Sequence, residues 1–291
     1  GRLSDFVAAE ASLRKLIDSQ PTEQNARSAH ALILSAARYE FGGGPQLSDG
    51  TDWEVAAQSA SRQSESEHSA AAEAALAFAA LAQADGPGTL QHANLLAQSP
   101  PSDDFALPRG LVGYLQSQAA LLAGRDDEAL SSLQQVVQAQ RLPLWQRRLG
   151  YLQLRRGQLA EASATLQAVL REQPDLIGAT IDLALLRGLS GDHAAQATAK
   201  QTLLGLMEPP RSGPDPCGPS ERARATLLLA ELTLASDPMA RAEARALLHK
   251  AQALVPTGDL LLLEEVARAQ VGIGDNATAA ALQKQVLQRL P

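Results

Sequence analysis

Between residues 143 and 176 the apolar positions fall into two stripes at helical spacing. Trp145, Leu149 and Leu152 share one face of a first helix. Leu159, Ala162, Leu166, Val169 and Leu170 share one face of a second. Gly157, between them, supplies the positive-φ residue that ends the first helix. Gly150 and Ala162 are small enough to let the pair approach closely. Pro174 blocks helical continuation and opens the next unit. Neither helix buries its stripe alone, whereas stacked pairs bury one continuous core. Strand-favouring residues form no alternating runs, which excludes sandwiches, barrels and α/β folds.

The same punctuation recurs along the chain. Gly124, Gly157 and Gly191 stand at nearly constant spacing, and Gly274 fits further on. An alanine follows at one offset in three of the four units (Ala129, Ala162, Ala279), with Gln196 the exception. Leu133, Leu166 and Leu248 recur at the next offset, then Val136, Val169, Leu203, Ala251 and Val286. Pro174, Pro256 and Pro291 close their units. The run Leu149-Gly150, Gly157, Ala162, Leu166, Pro174 resembles the tetratricopeptide repeat (TPR) family in order and spacing. Residues 111–143, 177–210, 225–256 and 260–291 match less closely, and Met239 replaces a turn glycine. The family's aromatic positions are largely leucine or alanine here. The resemblance implies an all-α, right-handed superhelical solenoid of antiparallel helix pairs.

Towards the N-terminus the pattern is less regular. Residues 6–21 read as the second helix of a repeat, with Phe6, Ala9, Leu13 and Leu16 on its face and Pro21 at its end. Residues 26–39 and 53–62 read as a further pair around a long glycine-rich turn at 41–52. Residues 66–84 and 89–98 make another pair. The resulting division is 1–101 divergent repeats, 102–207 central repeats, a Pro/Gly-rich loop or hinge at 208–220, and 221–291 C-terminal repeats.

Composition agrees with helices. The 291 residues are 45% hydrophobic but only 3% aromatic, and alanine and leucine dominate. The net charge of −7 argues against non-specific nucleic-acid binding, which needs clustered cations. The richest apolar segment, Ala70–Ala82, is short and broken by Glu73, so no direct membrane insertion is expected. Cys217 is the one cysteine, which excludes an intrachain disulfide. Only Lys15, Lys200, Lys250 and Lys284 are lysines among 25 basic residues, a bias that points to a GC-rich bacterial genome. The start at Gly1-Arg2 reads as a mature product or excised fragment, and flanking chain or a partner is expected over both ends. The expected compartment is cytoplasmic, the alternative a periplasmic or lipoprotein-anchored fragment.

Catalytic signatures do not emerge. His30, His68, His92, His193 and His249 form no metal-ligand spacing. Cys217 lacks a local base. Gly42–Gly44 and Gly272–Gly274 read as turns, while Asp103–Asp104 and Asp126–Glu128 read as helix starts. No cofactor and no metal are expected, and the chain is read as non-enzymatic. By resemblance, the first helices line a concave groove at Tyr114, Gln118, Leu121, Arg147, Tyr151, Leu154, Ile181 and Leu185. Beyond these, the same stripe takes in Gly188, Leu229, Thr233, Ser236, Glu264, Arg268 and Val271. A register one residue off would make these residues core instead. Lys and Asn at the family's two-carboxylate clamp are absent. Arg141, Arg147, Arg148, Arg155 and Arg156 form a basic cluster that suits an anion or acidic peptide, or else a solvated helix face. The expected role is a scaffold or adaptor that holds a peptide or helix of a protein partner within a bacterial assembly. The alternative is a ligand-sensing regulatory domain of a larger protein.

Overall fold

The computed structural model describes residues 3–19, 24–41, 69–99, 107–208, 217–256 and 259–289. The described residues form fourteen α-helices and no strand. In chain order these are α1 (Leu3–Ser19), α2 (Gln24–Phe41), α3 (Ala70–Ala82), α4 (Gly86–Gln98), α5 (Leu111–Leu122), α6 (Asp126–Ala139) and α7 (Pro143–Arg155). Then follow α8 (Leu159–Glu172), α9 (Ile177–Leu189), α10 (His193–Met207), α11 (Pro219–Ser236), α12 (Arg241–Leu254), α13 (Leu260–Gly272) and α14 (Asn276–Arg289). They pack as two compact units, Gly1–Leu152 and Gln153–Pro291. The stretches 53–62 and 42–50, the aspartates at 103–104, His68 and most of the 208–220 loop lie outside the described residues.

Short turns make the pairs, and four of the turns share one hydrogen-bonded form. Gly124 N–H donates to the Leu121 carbonyl at 3.1 Å and Arg125 N–H to Ala120 at 2.9 Å. Gly157/Gln158 and Gly274/Asp275 repeat both bonds, and so do Ala84/Asp85. This is the helix ending in which a left-handed residue closes the last free carbonyls. The φ values are +71°, +72° and +82° for Gly124, Gly157 and Gly274, and +58° for Ala84. Gly191 does not take this conformation, and neither does Met239. At those two turns an aspartate carboxylate instead satisfies an N–H group of the segment that follows. Asp192 accepts from Ala194 N–H and Asp237 from Met239 N–H, each at 2.9 Å.

In the first unit α3 is buried nearly all round, and its alanines at 71, 72, 74, 75 and 77 let neighbours approach from every side. The cost is Glu73, fully enclosed, which meets His92 Nδ1 at 2.8 Å. α5 and α6 close on each other at Gly113, where an added Cβ would sit 2.7 Å from Val136. Ala129 is fully enclosed on α6.

The second unit has two core clusters. Ile181, Ala184, Ala199, Leu203, Leu228 and Leu232 join α9, α10 and α11. Leu227, Leu248, Leu263, Val266 and Leu282 join α11 to α14. The first helices α9, α11 and α13 also pack side by side. Gly188 permits this on α9, since a Cβ there would collide with the Leu232 side chain of α11.

Candidate functional site

The first unit draws its scarce aromatic residues together. Tyr39 on α2, Phe78 on α3, Tyr114 on α5 and Trp145 on α7 form a chain of ring contacts, with Tyr114 stacked on Trp145 at 5.4 Å between centroids. Glu40, near the end of α2, reaches into this cluster. Its Oε1 accepts from the Tyr114 hydroxyl, and its Oε2 accepts from Arg148 at 2.8 Å. The Arg148 guanidinium also lies over the Tyr39 ring at 5.1 Å. Tyr39 in turn donates to Gln118 Oε1 at 2.8 Å, and Gln118 donates to Ser117 Oγ at 3.1 Å.

Burial and the Glu40 charge together set the protonation of Tyr114 and Arg148. Desolvation, then the charge of Glu40, pushes the Tyr114 phenol well above its ordinary value, so it stays a donor. Burial works against the Arg148 charge, but the Glu40 carboxylate outweighs it and holds the guanidinium well above its ordinary value. Arg148 Nε is buried without a hydrogen-bond partner.

The groove positions expected from sequence divide by burial. Tyr114, Gln118 and Arg147 are enclosed in the first unit, while Leu121 and Tyr151 are half-buried. In the second unit Leu154 and Ile181 are enclosed and Leu185 is half-buried against the core. Gly188, Leu229 and Thr233 are buried as well, whereas Ser236, Glu264, Arg268 and Val271 reach solvent. Among the enclosed positions, Tyr114 lies against the rings of Phe78 and Trp145, and Ile181 and Leu229 lie in the core that joins α9, α10 and α11.

The arginine cluster divides too. Arg148 is paired with Glu40 and Arg147 is buried, so these two leave the solvated patch expected from sequence. Arg141 is exposed in the first unit, and Arg155 and Arg156 are exposed in the second. The first-helix face of the second unit carries both charges. Arg224 on α11 stands 3.7 Å from the enclosed Asp182 of α9, and Arg268 pairs with Glu264 at 3.0 Å along α13. Glu231 on α11 is pushed above the usual carboxylate range by partial desolvation and then by Glu265 of α13, against the pull of Arg224 and Arg268.

The remaining candidate chemistry is structural. His30 lies 3.3 Å from Glu10, and His249 stands 4.0 Å from Asp275, which caps α14 through Thr278 N–H. His193 opens α10, and Asp126–Glu128 occupy the first turn of α6. Cys217 is buried just ahead of α11. Among the described residues no group of three His, Cys, Asp or Glu side chains could hold a metal ion. No described helix is long and apolar enough to cross a membrane.

Sequence reasoning missed Glu40 and Tyr39, which sit in a helix that carried no groove assignment. The available signal was the scarcity of aromatics: in a chain with nine, four meet at one place.

No family model matches the sequence, and no curated protein sequence is similar to it. Solved structures do match. A human IFIT1 dimer with PPP-AAAA is similar over 96% of this chain at 13% identity and a TM-score of 0.63. Yeast Tom70 covers 99% of it at 14% identity and a TM-score of 0.49. The chain spans 63% of the IFIT1 chain and 56% of the Tom70 chain. The fold is therefore that of a TPR-like solenoid of paired helices, in a sequence far from its structural neighbours.

Proposed function

We propose that the protein is a non-enzymatic binding scaffold that holds a peptide or helix of a protein partner along its first helices. The observation that carries this reading is the side-by-side packing of α9, α11 and α13, each of which also packs on its own second helix. That arrangement leaves Glu231, Glu264, Arg268 and Val271 reaching solvent on α11 and α13 while the core is built from other positions. A mixed strip of charge with an apolar edge fits an amphipathic segment. The crowded Glu231 and Glu265 carboxylates favour a partner that brings a cation to them. A place in a larger bacterial assembly belongs to the same proposal, as does the absence of an RNA role, since the chain is net acidic.

Affinity capture from lysate, followed by direct binding of whatever is retained, tests this. The comparison is wild type against Glu264→Lys/Arg268→Glu/Val271→Asp on α13 and against Tyr151→Ala in the first unit, after circular dichroism verifies folding. Direct binding weakened at least tenfold by the α13 variant supports the reading. Equal binding by both chains overturns the α13 surface, and retention of no protein overturns the scaffold.

A further inference from the structure

Glu73 is the charged residue of a helix otherwise made of alanine, leucine and phenylalanine. It is fully enclosed, and burying a carboxylate is costly unless its surroundings hold the charge. Two features do so. Glu73 lies in the first turn of α3, the helix end that favours an anion, and its Oε2 meets His92 Nδ1 of α4 at 2.8 Å. A carboxylate only accepts, so the proton of this hydrogen bond belongs to Nδ1. The bond made by one ring nitrogen decides the state of the other, and a neutral His92 ring therefore carries its lone pair on Nε2. The His92 side chain is 25% exposed. Its Nδ1 edge faces the enclosed carboxylate, so the open edge is the one that carries Nε2. Among the described residues no polar group meets that nitrogen. The other described histidines lack this arrangement. His30 directs Nε2 itself to Glu10 at 3.3 Å, His249 Nε2 stands 4.0 Å from Asp275, and His193 is exposed at the start of α10.

An imidazole held by a carboxylate serves as a metal ligand, as the base for a hydroxyl or thiol nucleophile, or as the nucleophile itself. The first use needs further ligands, and among the described residues no group of three His, Cys, Asp or Glu side chains provides them. The second needs a hydroxyl or thiol on Nε2, and among the described residues none is there. The third needs an open lone pair and a group that balances the charge the ring acquires, and His92 and Glu73 supply both. The geometry points to His92 as a modification site, an acceptor at Nε2 for a phosphoryl group from a donor with a P–N bond. The Nε2 lone pair forms the new N–P bond as the donor's own P–N bond breaks, and the donor's amine, ammonia in the case of phosphoramidate, leaves with that electron pair. Nδ1–H stays on the ring, bonded to the Glu73 carboxylate, which balances the positive charge. The site is independent of the partner-binding strip on the second unit.

Treatment of the full chain with phosphoramidate at mildly alkaline pH tests the site, with phosphohistidine located by peptide mass spectrometry. His193 is the internal standard, because it is exposed and access alone would favour it over His92. In the folded wild type His92 is expected to gain phosphate about ten times as fast as His193. In urea, where the Glu73 contact is lost, the two rates should meet. Glu73→Gln, whose amide can donate to Nδ1, is expected to slow His92 about tenfold and leave His193 unchanged. Nitrogen NMR of the imidazole rings in wild type serves if that variant does not fold, and the neutral His92 ring is expected to carry its proton on Nδ1. A folded-state rate ratio no higher than the unfolded one overturns the site, as does a proton on Nε2 of the neutral ring. An unchanged His92 rate in folded Glu73→Gln overturns the part assigned to Glu73.

Discussion

At the residue scale, two positions break the local rule for their place in the repeat, and each predicts a stabilising change. Ala84 adopts φ +58° at a turn where the equivalent residues are Gly124, Gly157 and Gly274. A left-handed alanine costs about 1–2 kcal/mol against its preferred regions, and glycine gives part of that back as unfolded-state entropy. Ala84→Gly is expected to raise unfolding stability by roughly 1 kcal/mol in urea titration. Gln270 is fully enclosed on α13, and neither amide atom has a partner. Gln153, at the same position before its own turn, receives the Thr165 hydroxyl at 2.9 Å, whereas the second helix of the last pair offers Leu282 at that offset. Gln270→Leu removes the orphaned amide and is expected to gain about 1–3 kcal/mol, read as a raised urea midpoint at unchanged slope. Glu231 makes a prediction in pH. Its folded carboxyl is raised, so the unfolded chain ionises first as pH climbs. Stability is then lost between the usual carboxylate value and the raised one, and stays lost above both. Glu231→Gln is expected to unfold later than wild type at pH 7 and together with it at pH 3.

At the element scale, helices and their turns were legible because they depend on short-range pattern. The stripe Leu159, Ala162, Leu166, Val169 forms the inner face of α8, and Pro174 stands just beyond its end. Gly191 marks where a turn falls but not its form: Asp192 caps the following helix without any left-handed residue. The turn after residue 84 was placed by the pair 66–84 and 89–98, but its left-handed residue was not, since no glycine marks it. Close approach between first helices was likewise invisible in linear order. Gly188 works because Leu232 lies against it from 44 residues away. Gly188→Ala gains helix propensity of about 1 kcal/mol but must displace Leu232, which costs about 1–3. The net expectation is a loss of roughly 1 kcal/mol in thermal or urea unfolding. Leu232→Ala in the same background is expected to remove the clash, so the two losses should add to less than their sum.

At the scale of the whole molecule, the fold class was readable from periodicity, whereas burial was not. Periodicity specifies which residues leave a helix on one side, so it predicted paired helices with stacked cores, as the clusters around Leu133 and Leu248 bear out. It does not specify what covers that side. The family resemblance assigns Tyr114 and Ile181 to a groove; both are enclosed, Tyr114 between the rings of Phe78 and Trp145 and Ile181 in the core that joins α9, α10 and α11. Repeat arrays store stability as a sum of unit and nearest-neighbour terms. A local perturbation in the second unit should therefore fade with distance along the array. Gly188→Ala is expected to move the unfolding midpoint seen by far-UV circular dichroism more than the midpoint seen by Trp145 fluorescence in a Trp53→Phe background. Equal displacement of both midpoints would mean that the chain unfolds as one cooperative block.

The turn at Ala84 carries a lesson about recognition of kinship. Its two hydrogen bonds are those of the glycine turns, so the backbone keeps the message while the letter that usually spells it has been replaced. A misspelling of this kind costs about 1 kcal/mol, little enough for a long array to absorb one unit at a time. Geometry can thus outlast vocabulary: a chain of such turns is readable to a comparison of shapes long after a comparison of words has fallen silent.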